Sequence, residues 1–176
     1  TFEIQTASEL IFSTDLDLPI ILSGNSGFIS RYEPTGACIL PSEITQNTTL
    51  TIDCSPYLAN ETVIVSPGIS LLVEPGVEIW FSENTRFIIR GDLQVNGTET
   101  QRVVFKANSA FGAESWGNLT FENSTATSNL NYLEIRDASN GIHPIHHNAA
   151  ICSWYSVLVM DNLILTNNFS NPIFCE

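Results

Sequence analysis

Six Asn-x-Ser/Thr triplets carry the most pointed chemistry in this chain: Asn47-Thr48-Thr49, Asn60-Glu61-Thr62, Asn96-Gly97-Thr98, Asn118-Leu119-Thr120, Asn123-Ser124-Thr125 and Asn168-Phe169-Ser170. Each offers an asparagine amide nitrogen that can accept an N-linked glycan. Four cysteines, Cys38, Cys54, Cys152 and Cys175, add a second signal. An even count beside many glycan acceptors fits an oxidising compartment. Of the three pairings, Cys38–Cys54 with Cys152–Cys175 is favoured, because each closes a short loop near one end of the domain. Four buried thiols are the alternative.

Other residues could do chemistry and are weighed against plainer roles. Glu122, Glu134 and Asp137 could form a carboxylate pair for hydrolysis of a neutral sugar. Their alternation beside Leu and Ile reads more simply as a solvated strand face. His143, His146 and His147 lie within five residues and could ligate Zn²⁺ or Cu²⁺. Pro144 forces an extended or turned backbone there, so a polar loop is the expectation. Asp15 and Asp17 share a strand face, a weak Ca²⁺ hint. Trp80, Trp116 and Trp154, with Tyr57, Tyr132 and Tyr155, could offer sugar-stacking platforms. No catalytic residue, metal site or cofactor is expected.

The charge balance narrows the partners. Lys and Arg total 6 against 19 Asp and Glu, a formal charge of −13, and Lys106 is the sole lysine. Such a surface repels nucleic-acid phosphates, anionic membranes and acidic polysaccharides. No run of about 18 apolar residues occurs, so no membrane span is expected. The chain opens at Thr1 without a basic-then-apolar leader and reads as a processed, secreted chain.

The elements that must position these groups are short strands. Helical spacing is absent, and Gly, Pro, Asn and Ser interrupt the chain often. Apolar alternation recurs at Val63–Val65, Ile69–Val73, Val77–Phe81, Phe87–Ile89, Leu93–Val95, Val103–Phe105, Leu119–Phe121, Leu133–Ile135 and Leu163–Leu165. Four hexads read polar-Leu-x-apolar-x-polar, beginning at Asp92, Asn118, Tyr132 and Asn162. Their leucines lie 26, 14 and 30 residues apart, and Leu71 precedes Leu93 by 22. Intervals of 22 to 30 suit one turn of a stacked coil, and 14 suits a second face within one turn. An antiparallel sandwich is the competing architecture.

The order of the pieces adds specificity. Leu72-Val73-Glu74-Pro75-Gly76-Val77-Glu78-Ile79-Trp80-Phe81 leads to Gly91-Asp92-Leu93-Gln94-Val95-Asn96-Gly97-Thr98 and Arg102-Val103-Val104-Phe105. Trp116-Gly117-Asn118-Leu119-Thr120-Phe121 and Leu130-Asn131-Tyr132-Leu133-Glu134-Ile135 follow. This run resembles the right-handed parallel β-helices of the pectin-lyase-like superfamily, of the non-catalytic extracellular type. The resemblance implies an all-β solenoid. The paired aspartates and basic proton acceptors of pectin-cleaving members have no counterpart here.

Residues 1–37 do not match the repeat and read as an N-terminal β-rich arm or cap, with the β-helix domain over 38–176. Outward asparagines are expected at positions 96, 118 and 168, with Asn123 on the wrong parity unless a turn intervenes. The expected function is a non-enzymatic structural extracellular glycoprotein. It self-associates end to end into a filament or surface layer, with copies of itself and N-linked glycans as partners. An adhesion or glycan-binding module of a larger ectodomain, and a divergent carbohydrate-active enzyme, remain as alternatives.

Overall fold

A computed structural model describes residues 37–139 and 149–176, together with the strand pair at 21–22 and 29–30. The chain divides into two units, Thr1–Thr35 and Gly36–Glu176. In the first, β1 (Ile21–Leu22) pairs antiparallel with β2 (Ile29–Ser30). Asp15, Asp17, His143, His146 and His147 lie outside the described residues.

The second unit is a parallel β-solenoid. After β3 (Cys38–Ile39), three short strands repeat per coil. Coil one is β4 (Glu43–Ile44), β5 (Thr48–Leu50) and β6 (Tyr57–Ala59). Coil two is β7 (Val63–Val65), β8 (Ser70–Val73) and β9 (Glu78–Phe81). Coil three is β10 (Phe87–Ile89), β11 (Asp92–Asn96) and β12 (Val103–Ala107). Coil four is β13 (Leu119–Glu122), β14 (Thr127–Asn131) and β15 (Leu133–Arg136). Coil five is β16 (Ala149–Trp154), β17 (Val157–Asp161) and β18 (Ile164–Thr166), after which β19 (Asn171–Cys175) starts another turn. Every third strand pairs in parallel, giving sheets β4-β7-β10-β13-β16-β19, β5-β8-β11-β14-β17 and β3-β6-β9-β12-β15-β18. We call these the first, second and third sheets.

Strand alternation then builds the core. Successive side chains point to opposite faces, so like residues stack into columns down the lumen. Val63, Phe87, Leu119 and Ile151 form one column, and Tyr57, Ile79, Phe105, Ile135 and Leu165 another. Leu71 lies beside Leu93, as their spacing implies. The hexad at Leu119 belongs to a different sheet from that at Leu93, so their interval of 26 is not one turn. Leu119 stacks instead between Phe87 and Ile151, each 32 residues away. The interval of 14 from Leu119 to Leu133 does separate two faces of one coil, β13 and β15.

The middle of the lumen is aromatic. Phe81, Phe87, Phe105, Phe121 and Trp116 are all fully buried. Trp116 stacks on Phe81 with ring centroids 4.1 Å apart and a 13° interplanar angle, while its indole N–H donates to the Arg136 carbonyl at 2.7 Å. Gly117 follows because the coil beneath comes too close for a side chain. A Cβ there would meet the Thr85 carbonyl oxygen at 2.4 Å. Corners are turned by single left-handed residues, with φ of 50° at Asn123, 49° at Tyr132, 53° at Asn162 and 52° at Asn167. Asparagine tolerates this region better than most residues. The strain at Tyr132 is offset by its N–H, which donates to Asp161 of the next coil at 3.0 Å.

Candidate functional site

The corners decide which asparagines reach solvent. Asn47, Asn60, Asn96 and Asn123 are exposed. Asn47 precedes β5 and its side-chain oxygen accepts the Ser70 N–H at 2.9 Å. Asn123 has its expected wrong parity corrected by the left-handed corner after β13.

Two placements correct the sequence expectation. Asn118 is fully buried, and its Nδ2 donates to the Ala149 carbonyl at 3.1 Å and to Cys152 Sγ at 3.4 Å. Alternation does put Asn118 and Thr120 on the outer side of the first sheet. Around Asn118 that side is closed to solvent, however, with Arg86 and Ile88 at 7 % exposure and Thr120 and Cys152 at 0 %. Asn168 is the second case. It turns onto coil four, where Oδ1 accepts the Ala138 N–H at 2.8 Å and Nδ2 donates to the Ile135 carbonyl at 3.2 Å. Its neighbour Asn167 takes the left-handed corner and is exposed.

The cysteines are also partly corrected. Cys38 and Cys54 form a disulfide with Cα atoms 5.3 Å apart. Cys152 and Cys175 are separate thiols, the first buried and the second exposed. Register explains why the expected bridge does not form. Cys175 stands beside Ser153, and Cys152 beside Phe174, so the two sulfurs leave opposite faces of the sheet.

Arg86, which sequence reasoning passed over, organises the covered outer face. Its Nε donates to Asn118 Oδ1 at 3.2 Å and its Nη2 to Thr120 Oγ1 at 3.1 Å. Burial pulls the guanidinium pKa down, against the opposing charge of Glu122. Burial also pushes the Cys152 thiol up, so it stays protonated and is no nucleophile. Ile88 was the one available signal: an apolar residue at an outward strand position asks for a cover.

The carboxylates do not converge. Glu122 ends β13 and pairs with Arg90 at 3.1 Å, on the first sheet. Glu134 lies on the third sheet and pairs with Arg136 at 2.6 Å, while Asp137 takes the left-handed corner beyond. The Arg136 hydrogen bond holds the Glu134 carboxyl below its ordinary value, the reverse of what a general acid needs. Glu78 is pushed up by burial, but hydrogen bonds from Lys106 and Trp80 outweigh this and hold it low. Trp80 lies under the Lys106 ammonium, 4.8 Å from its ring centroid. Trp154 ends β16 and packs against Phe174. A shallow depression of 240 Å³ over Leu40, Ile44 and Thr48 falls below the roughly 300 Å³ of ordinary ligand pockets.

The first and last described coils differ in exposure. Ile44 and Leu50 in coil one are 4 % and 2 % exposed, whereas Met160 in coil five and Ile173 in β19 are 37 % and 38 % exposed. Tyr155, Val157, Val159, Phe169 and Phe174 are also open. These seven, from Tyr155 to Phe174, are most of the large apolar side chains exposed among the described residues.

No known protein family matches the chain, and no solved structure does. A stretch of 55 residues is 46 % identical to Protein bark beetle of Drosophila melanogaster. That stretch is 31 % of this chain and 2 % of the fly protein, so the similarity touches a small section of a far longer polypeptide. Among the described residues no helix is long and apolar enough to cross a membrane.

Proposed function

We propose that this chain is a non-enzymatic structural module of an extracellular glycoprotein, and that it joins other copies through an end of its solenoid. One observation carries the reading: large apolar side chains gather in coil five and the strand after it. Contiguous apolar patches beyond a few hundred Å² mark interaction sites on soluble proteins. The Cys38–Cys54 disulfide and the exposed acceptors Asn47, Asn60, Asn96 and Asn123 support an oxidising, glycosylating compartment. Sedimentation of the secreted, glycosylated chain tests the proposal. Association that rises with concentration is expected, and strictly monomeric particles at high concentration refute it.

A second reading has its own support. The likeness to a short section of a much longer protein fits a module within a larger polypeptide, for which adhesion or glycan binding is the role we set against self-association. Glycan-array binding by a monomeric chain, lost on Trp80→Ala, would favour it.

A further inference from the structure

We propose that the Asn96–Gly97 pair is a latent deamidation site, held inert by the contact between coils three and four and made reactive when that contact opens. This is a chemical fate of the asparagine other than glycosylation, and it does not depend on self-association. Three observations lead to it.

The first is why a reactive pair stands here at all. Asn96 ends β11 and is exposed. A glycine after an asparagine puts no side chain in the way of ring closure between them. Gly97 cannot be exchanged for a bulkier residue, because a Cβ there would meet the Tyr132 carbonyl oxygen at 2.5 Å and that of Asn131 at 2.9 Å. Stacking therefore imposes the dipeptide, and the chemistry comes with it.

The second is the reaction and what restrains it. The Gly97 nitrogen gives its proton to solvent and bonds to Asn96 Cγ. The Cγ–Nδ2 bond breaks, and Nδ2 takes a proton from solvent and leaves as ammonia. Water then opens the cyclic imide at either carbonyl, leaving aspartate or isoaspartate. In the folded chain the Gly97 N–H donates to the Asn131 carbonyl of coil four at 3.0 Å. That bond continues the ladder of the second sheet, where Asn96 stands beside Asn131. Ladder bonds run within the sheet, whereas strand side chains stand roughly perpendicular to it. The nitrogen is thus both occupied and turned away from Cγ.

The third is what the product does to the stack. Isoaspartate routes the main chain through its side-chain carbons and so inserts an extra atom into the strand. Val95 beside Leu130 and Gly97 on Asn131 can then no longer both be satisfied. Either product also removes the amide that a glycan needs and adds a negative charge to the row Asn96, Asn131, Asp161. A chain that opens before it is glycosylated therefore loses its acceptor. A glycan already on Nδ2 opposes the reaction, because the leaving group is then a glycosylamine.

The test uses the whole chain, made with glycans in a secreting host and without them in a bacterial periplasm, where disulfides still form. Each is held at mildly alkaline pH, folded or in urea. The tryptic peptide 91–102 is followed by mass for conversion of amide to acid, and by enzymatic methylation for isoaspartate. In urea, unglycosylated Asn96 should react at a rate close to that of Asn140 in the chain's other Asn-Gly pair. Folded, it should react at least about tenfold more slowly, because only the open fraction reacts. Leu130→Ala empties a buried lumen position beside Val95 and should speed the folded reaction at least about tenfold. Urea below the unfolding transition should do the same without a substitution. Equal rates folded and in urea overturn the restraint by coil four. An Asn96 inert in urea overturns the latent reactivity. A folded rate indifferent to both Leu130→Ala and low urea overturns the link to coil opening. The glycosylated chain should stay unconverted at Asn96, and conversion there at the unglycosylated rate overturns protection by the sugar.

Discussion

Gly91→Ala tests whether coils two and three are held at the spacing that defines the solenoid. A Cβ on Gly91 would sit 2.0 Å from the Ile69 carbonyl oxygen and 2.6 Å from that of Ser66. Both are backbone atoms of the coil beneath, so no side chain can swing aside. Restoring an ordinary contact of 3.4 Å requires the coils to part by 3.4 − 2.0 = 1.4 Å. Asp92 N–H donates to Ile69 at 2.9 Å, and Arg90 and Gly91 donate to Val65 at 2.9 and 3.2 Å. A parting of that size takes these bonds beyond hydrogen-bonding distance. Three bonds at about 1 kcal/mol each, with about 1–3 kcal/mol of overpacking, give a loss of about 4–6 kcal/mol. Gly68→Ala is the control. Its φ of +76° strains an alanine, but nothing lies within 4 Å of the new Cβ, so about 1–2 kcal/mol is expected. Urea titration of wild type and both variants, read by tryptophan fluorescence, gives the comparison at constant m value. If Gly91→Ala is no less stable than Gly68→Ala, the coils are not in the contact described and the argument for the lumen columns fails with it.

Three further outcomes are expected. Peptide mapping of the secreted protein should find glycans at Asn47, Asn60, Asn96 and Asn123 and none at Asn118, whose amide is buried and bonded; occupied Asn118 in folded material would contradict the covered first sheet. Replacing Cys38 and Cys54 by serine opens a loop whose ends are 16 residues apart and should cost about 3 kcal/mol, read as a lower denaturation midpoint. Glu134→Gln should flatten the acid limb of stability. The folded carboxyl titrates below its ordinary 4.5, so its contribution is present above that pH and is lost as pH falls through the folded value. Because Arg136 is well exposed, the effect should stay under about 1 kcal/mol.

Much of the architecture was legible because alternation and stacking act on the same residues. Leu71 and Leu93 reveal a coil directly, and Leu119 with Leu133 reveals two faces of one coil. What the hexads do not encode is which sheet each occupies, since all three sheets demand the same inward pair. Hence Leu93 and Leu119 look like one turn and are not. Parity likewise places Asn118 outward without saying that the outer side is covered. It could have warned that Cys152 and Cys175 face apart, but only once Ser153 was known to stand beside Cys175. Arg86 escaped notice because a lone arginine before a strand ordinarily faces water.

The connection between β12 and β13 is longer than its counterpart one coil earlier, yet the ladder above and below it keeps its register. Part of the extra chain turns inward, with Ala113 and Trp116 in the core, while the turn at Gly112 stays outside the ladder. Gly112, at its rim, is exposed with open space around it. An epitope tag or a foreign peptide spliced there would ride on the outside like a hook on a rail, giving a handle for display or purification.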